Sequence, residues 1–94
     1  MKSSTLFLIQ SNYTHTDQIW SELQQIAHIN DSIVVMGDAV LKLNSSITHM
    51  FHNIYCLDTE KSLLSHDLAD QVQILQYNQF ADLVLAFERC VSLK

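Results

Sequence analysis

Residues 32–36, with the sequence SIVVM, are the segment that most constrains the fold. The segment is short, apolar after its first residue and rich in β-branched side chains, and Asn30 and Asp31 precede it. A continuous run of this kind is typical of a parallel strand that is covered on both faces. The segment therefore predicts an inner strand of a sheet with helices on both sides.

Three other segments of the chain also have strand character. TLFLIQ (residues 5–10) is a second continuous apolar run, and NIYCL (Asn53–Leu57) is a third. QVQILQ (residues 71–76) instead alternates polar and apolar residues. Such alternation predicts a strand with one face less well covered.

Segments with helical spacing lie between these strands. THTDQIWSELQQIAHI (residues 14–29) follows the first strand, and its Thr14 and Asp17 resemble a capping box. GDAVLKLN (residues 37–44) begins a second helix, and DTEKSLLSHDLAD (residues 58–70) predicts a short helix or turn. The apolar residues of the first helix at helical spacing are Ile19, Leu23, Ile26 and Ala27.

NQFADLVLAFERCV (residues 78–91) predicts a last helix. Its core stripe is Phe80, Leu83, Val84, Phe87 and Val91. Ala81 and Leu85 lie off this stripe, so the helix is apolar on more than one face. A partner subunit could cover the second face, or the stripe could be wide and pack on a large sheet. Ala81 and Leu85 are therefore candidate interface residues.

Strand and helix alternate along all 94 residues. This alternation predicts βαβ crossovers and hence a three-layer α/β/α sandwich with a mainly parallel sheet of four to five strands. The length predicts one domain over residues 1–94.

The charge pattern argues against direct binding of nucleic acid. The net charge is −5, and the five cationic side chains are scattered along the chain. A protein that binds RNA or DNA needs such cations gathered on one face. The cationic residues are Lys2, Lys42, Lys61, Arg89 and Lys94.

The first residues, MKSSTLFLIQSN (1–12), become polar too soon to predict a signal peptide, and no segment predicts a membrane span. Two cysteines in such a chain predict free thiols and a reducing cytoplasm.

The motifs of several enzyme and binding classes are missing from the sequence. Gly37 is the only glycine, so neither a dinucleotide-binding loop nor a P-loop can form, and no GxSxG motif is present. A phosphorelay receiver needs a carboxylate pair after its first strand, whereas this chain has Gln10, Ser11 and Asn12 there. We therefore predict no cofactor.

His49, His52 and Cys56 have a spacing that superficially resembles a metal site. The segment, however, is predicted to pass from a helix end into a strand, and this change would spread the three side chains apart. We therefore predict no metal.

Cys56 is the best candidate for sulfur chemistry. It lies near the carboxyl end of the third predicted strand, where open α/β sheets bind ligands, and a following helix N-terminus would stabilise its thiolate. Asp58 and Glu60 would instead raise its pKa, with only Lys61 to offset them. A buried structural cysteine in the apolar run IYCL is the other interpretation.

Taken together, the segments resemble the DsrH/TusB family, small subunits of bacterial sulfur-relay complexes. The resemblance covers nearly the whole chain and rests on several collinear segments of low individual specificity. These segments are HTDQIWSELQQIAHINDSIVVMGDAVLKL (15–43), NIYCLDTEKSLLS (53–65) and YNQFADLVLAF (77–87).

The resemblance implies a DsrE-like fold and a place in a dimer of heterotrimers with TusC-like and TusD-like (DsrF- and DsrE-like) subunits. It further implies that the complex passes persulfide sulfur from a TusA-like protein to a TusE-like protein, toward 2-thiolation of the tRNA wobble uridine. In such complexes the principal sulfur carrier is a cysteine of the D-type subunit. Related complexes serve sulfur oxidation, and their H-type subunit can carry a cysteine after the first strand.

This sequence departs from that last pattern, because QSNYTHT (residues 10–16) contains no cysteine. The resemblance thus favours a non-catalytic structural subunit. A subunit that uses Cys56 as persulfide carrier and a generic small α/β oligomerisation or ligand-binding domain remain the alternatives.

Overall fold

Five parallel strands form one sheet among the residues that the structure describes. The computed structural model describes residues 4–94 and places the strands in the order β4-β3-β2-β1-β5, with every neighbouring pair parallel. Their bounds are β1 Thr5–Ile9, β2 Ser32–Val35, β3 Asn53–Leu57, β4 Gln73–Leu75 and β5 Arg89–Leu93. The predicted parallel sheet is confirmed, and the SIVVM segment forms its central strand, in which all four residues are buried.

Three α-helices and three 3-10 helices connect the strands. The α-helices are α1 (Thr16–Ile26), α2 (Ser45–Met50) and α3 (Tyr77–Ala86). The segment predicted as a second helix contains the 3-10 helix Gly37–Lys42. The segment predicted as a short helix or turn forms the 3-10 helices Asp58–Leu63 and His66–Gln71, the second of which ends one residue beyond it.

The two faces of the sheet carry separate hydrophobic clusters, because successive side chains of a strand point to opposite faces. On one face, Phe7, Ile33 and Ile54 pack with residues of α1 and α2; we call this cluster the α1-side core. On the other face, Leu6 and Val34 belong to the cluster that α3 covers, which we call the α3-side core. The arrangement is the predicted three-layer α/β/α sandwich.

The predicted last helix is too long. It ends at Ala86, and the residues after Phe87 form β5, which pairs with β1. Phe87 packs on the α3-side core, but Val91, predicted to lie on the same helical stripe, packs on the α1-side core. The spacing of four residues between Phe87 and Val91 is compatible with a helix. The alternating pattern of RCVSL is equally compatible with a strand. Residues 89–93 form a strand because they pair with the open edge of β1.

The predicted capping box at the start of α1 is also wrong. The N-cap residue is His15, whose side chain makes no capping bond. Asn12 organises the turn instead, because its Oδ1 accepts hydrogen bonds from the amide of His15 at 2.9 Å and from the hydroxyl of Thr14 at 3.1 Å. The Thr16 hydroxyl donates to the Asn12 carbonyl at 2.6 Å.

Asp31 joins the starts of β1 and β2. Its carboxylate is buried, with Oδ1 accepting from the amide of Thr5 at 2.8 Å and Oδ2 from the amide of His28 at 2.9 Å. Oδ1 therefore satisfies a backbone donor at the amino end of β1, and Oδ2 satisfies one in the connection between α1 and β2.

Within residues 4–94, no helix has both the length and the apolar character that crossing a lipid bilayer would require.

Candidate functional site at the carboxyl edge of the sheet

The carboxyl ends of β2 and β3 bring together the groups that the sequence marks for chemistry. Open parallel sheets bind ligands at this edge. Val35 and Cys56 are partners in the β2–β3 register, and the 3-10 helices Gly37–Lys42 and Asp58–Leu63 leave the two strands side by side.

Cys56 points into the protein and away from solvent. It belongs to the α1-side core and has 0% of its surface exposed. Its Sγ donates to the carbonyl of Leu57 at 3.4 Å, and it forms no disulfide. The sulfur is therefore packed like an ordinary core side chain.

The surroundings of Cys56 disfavour the thiolate. Burial raises the pKa of Cys56 to about 11, and the negative charge of Glu60 contributes to the rise. Lys61 is the only cationic residue close to Cys56 in the sequence, and its Nζ forms an ion pair with Oδ1 of Asp58 at 3.2 Å. The expected thiolate stabilisation by a following helix N-terminus is thus not realised, since a six-residue 3-10 helix follows β3 and carries Glu60 in its first turn.

Glu60 links the two crossovers at this edge. Its Oε2 accepts a hydrogen bond from the amide of Gly37 at 2.8 Å. Gly37 has a φ of 61°, a left-handed conformation that glycine adopts without strain. Glu60 Oε1 is buried and has no hydrogen-bond partner among residues 4–94. Sequence reasoning missed this contact, because Gly37 and Glu60 lie 23 residues apart without a shared motif.

The histidines near Cys56 do not converge on it. His49 lies on α2, His52 lies in the connection to β3, and both are exposed whereas Cys56 is buried. Among residues 4–94, no group of three or more His, Cys, Asp or Glu residues is placed to hold a metal ion.

The two candidate interface residues both lie on the outer side of α3. Ala81 is exposed, and Leu85 is 83% exposed. Tyr77, four residues before Ala81, is 66% exposed. The three side chains recur every four residues and so lie along one side of the helix. We call them the α3 stripe; Leu85 does not pack on the sheet, which leaves this stripe uncovered by residues 4–94.

An open cleft of about 450 Å³ lies at the opposite, amino edge of the sheet. Its charged side chains have mixed sign, and both carboxylate oxygens of Asp31 are already occupied by backbone amides. The lining residues are Ser4, Thr5, His28, Asp31, Glu88 and Arg89. This composition favours neither an anion nor a cation.

The raised pKa of Cys56 predicts a loss of stability in alkaline solution. A thiol whose folded pKa of about 11 exceeds its unperturbed value of 9.0 stabilises the fold fully below about pH 9, and this contribution is lost as the pH rises toward 11. At about pH 10 we expect a loss of about 1 kcal/mol in the free energy of unfolding. Urea titrations at about pH 7 and at about pH 10 measure this difference in the free energy of unfolding.

Two serine variants isolate this contribution from the titration of other groups. Cys56→Ser removes the thiol and should flatten this part of the pH dependence, whereas Cys90→Ser should retain it, because Cys90 is exposed. Equal pH dependence in the wild type and in Cys56→Ser would contradict a buried neutral thiol.

In comparisons with family models, curated proteins and solved structures, nothing matches this chain.

Proposed function

We propose that this chain is a structural, non-catalytic subunit of a TusBCD-like sulfur-relay complex in the cytoplasm. The complex would pass persulfide sulfur from a TusA-like to a TusE-like protein, toward 2-thiolation of the tRNA wobble uridine. The observation that carries the proposal is the α3 stripe, an apolar helix side left uncovered by the rest of the described chain. The family resemblance names the partners that would cover it.

The composition of α3 supports an assembled role. Its inner side chains, such as Phe80 and Leu83, pack on the α3-side core, yet none of its ten residues is buried within residues 4–94. Covering apolar surface is favourable by about 25 cal/mol per Å². A partner that covers Leu85 and Tyr77 would therefore gain from the contact.

The position of Cys56 supports a non-catalytic role. A persulfide carrier needs a sulfur that a donor and an acceptor can reach, and it reacts as the thiolate. Cys56 meets neither requirement, since it is fully buried and its pKa is about 11. In this proposal the sulfur is carried by the D-type partner, and this chain contributes contacts.

The charge of the chain agrees with this division of labour. At −5 the chain would repel tRNA. Transfer of sulfur to the nucleoside is accordingly assigned to a later enzyme of the relay, and this subunit needs no nucleic-acid surface.

Native mass spectrometry after co-expression with TusC-like and TusD-like subunits tests the proposal. We expect a mixed complex with the mass of a dimer of heterotrimers. A chain that ignores both partners would overturn the proposal and favour a generic oligomerisation or ligand-binding domain.

Leu85→Asp is expected to weaken this complex more than it weakens the fold. An exposed side chain contributes little to the monomer, so the free energy of unfolding should change by about 0.5 kcal/mol or less. Removing a central apolar contact from an interface and adding a charge should weaken association by about tenfold to a hundredfold. Denaturant unfolding of the isolated chain and native mass spectrometry of the complex give the two values.

Gln24→Glu is the matched control for this variant. Gln24 is exposed on α1, on the other side of the sheet, and the substitution changes the net charge by the same amount. We expect it to leave assembly unchanged. If Leu85→Asp destabilises the isolated chain as much as it destabilises the complex, Leu85 is not an interface residue.

A further inference from the structure

In the part of the chain that the structure describes, β5 is an edge strand that pairs on one side only. Within residues 4–94 it pairs only with β1, and the sheet ends there. The amide of Gln10 donates to the carbonyl of Leu93 at 3.0 Å, so Leu93 directs its backbone groups toward β1. Backbone groups alternate in direction along a strand, and Cys90 and Ser92 therefore direct their amides and carbonyls outward.

The usual protection of sheet edges is weak on this strand. Proteins protect edges with short strands, prolines, bulges or charged side chains, and Arg89 is the one charged residue within β5. The opposite edge strand, β4, has three residues, whereas β5 has five and contains no proline. The two residues whose backbone groups are directed away from β1, Cys90 and Ser92, have small side chains and are exposed. A second extended strand could approach them closely.

The charges at the two ends of β5 indicate which strand fits. Glu88 precedes β5 and Lys94 follows it, and both side chains are exposed. A strand of the same sequence in antiparallel orientation, centred on Val91, brings each Glu88, which lies in the bend just before β5, close to a Lys94 of the other copy. The same register places Cys90 opposite Ser92, so that their outward backbone groups can form a hydrogen-bonded pair. Centring on Cys90 or on Ser92 instead would separate the two charges.

We propose that two copies of this chain associate through antiparallel pairing of their β5 edges, with Val91 at the two-fold axis and Glu88–Lys94 ion pairs at both ends. The product is a continuous ten-stranded sheet, twice the five strands of one copy. This pairing uses backbone groups of the sheet edge and does not use the side chains of the α3 stripe. It is therefore independent of the proposed sulfur-relay function, and either can fail alone.

Charge reversal with rescue tests the proposal. Sedimentation equilibrium of the wild type over micromolar to millimolar concentrations, at about 0.15 M salt to screen the net charge of each copy, is expected to show a reversible dimer. Glu88→Lys and Lys94→Glu should each weaken the dimer by about tenfold, since opposed like charges are destabilising and the symmetry repeats the effect. The double variant should restore the wild-type affinity.

Ser92→Pro tests the backbone pairing. The amide of Ser92 faces away from β1, so proline at this position removes a donor of the outer edge without removing a ladder bond of the monomer. We expect a folded monomer, with circular dichroism and thermal unfolding as the check on folding. If this variant fails to fold, the charge-reversal set still decides the question.

Disulfide trapping tests the register. In a Cys90→Ser background, Val91→Cys should form a cross-linked dimer on mild oxidation, because facing residues of a non-hydrogen-bonded pair have Cα atoms about 4.5 Å apart, within disulfide range. Ser92→Cys in the same background should cross-link slowly. A monomeric wild type at all concentrations, a dimer indifferent to charge reversal, or cross-linking through position 92 in preference to 91 would each overturn the proposal.

Discussion

Cys56 in the native protein is expected to react with iodoacetamide at least about a hundredfold more slowly than Cys90. At about pH 7 a pKa of about 11 leaves about 0.01% of Cys56 as the reactive thiolate, whereas the same thiol at its unperturbed value of 9.0 is about 1% ionised. Ionisation alone therefore makes native Cys56 react roughly a hundredfold more slowly than the same thiol in the unfolded chain. Burial adds to it, because Cys56 is fully covered while Cys90 is exposed.

Time-resolved alkylation followed by peptide mass mapping measures both rates in one sample. The rate at Cys56 should rise about tenfold for each pH unit up to its pKa, and in denaturant it should approach the rate at Cys90. Cys90→Ser leaves Cys56 as the only thiol and provides the same measurement without competition.

The same variant decides between the structural subunit and the persulfide carrier. Incubation of Cys90→Ser with a persulfide donor should give no mass gain on the native chain. Rapid alkylation of native Cys56, or a persulfide adduct at that position, would show that solvent reaches the sulfur at the carboxyl end of β3. Either result would favour the persulfide-carrier alternative.

The inner strands could be predicted from the sequence because burial on both faces leaves an unambiguous pattern. β3 was predicted with the bounds it has, and β1 and β2 each end one residue earlier than predicted. The strand at the end of the chain was not predicted, because a five-residue segment beside a long helical stripe is compatible with both periods. Only pairing with the open edge of β1 selects the strand for Arg89–Leu93.

The candidate site could be predicted in position but not in chemistry. The sequence places Cys56 at the carboxyl end of a parallel strand, as the structure does. Whether its sulfur faces solvent depends on how α1 and the 3-10 helices cover that face, and no local pattern encodes this packing. The contact of Glu60 with the amide of Gly37 arises in the same way, from two crossovers that the topology makes neighbours.

Asp31→Ala is expected to lower the free energy of unfolding by about 3 kcal/mol, since each hydrogen bond to a charged group contributes about 1.5–3 kcal/mol and two backbone amides lose their partner. In the sequence, Asp31 is only a polar residue that precedes the SIVVM segment. The structure gives Asp31 a larger role, because its carboxylate is 5% exposed and joins the entry to β1 with the turn before β2. Urea denaturation of the variant measures the loss.

Two further variants separate this role from a general effect of charge. Asp31→Asn retains one acceptor oxygen but turns an amide nitrogen toward the other backbone donor, so we expect about half of the loss. Asp38→Ala removes an exposed carboxylate and should change stability by about 0.5 kcal/mol or less. Equal effects at positions 31 and 38 would mean that the Asp31 hydrogen bonds contribute nothing beyond net charge. An effect at Asp31 alone, graded from Asn to Ala, would show that its side chain stabilises the amino end of β1 and the turn before β2.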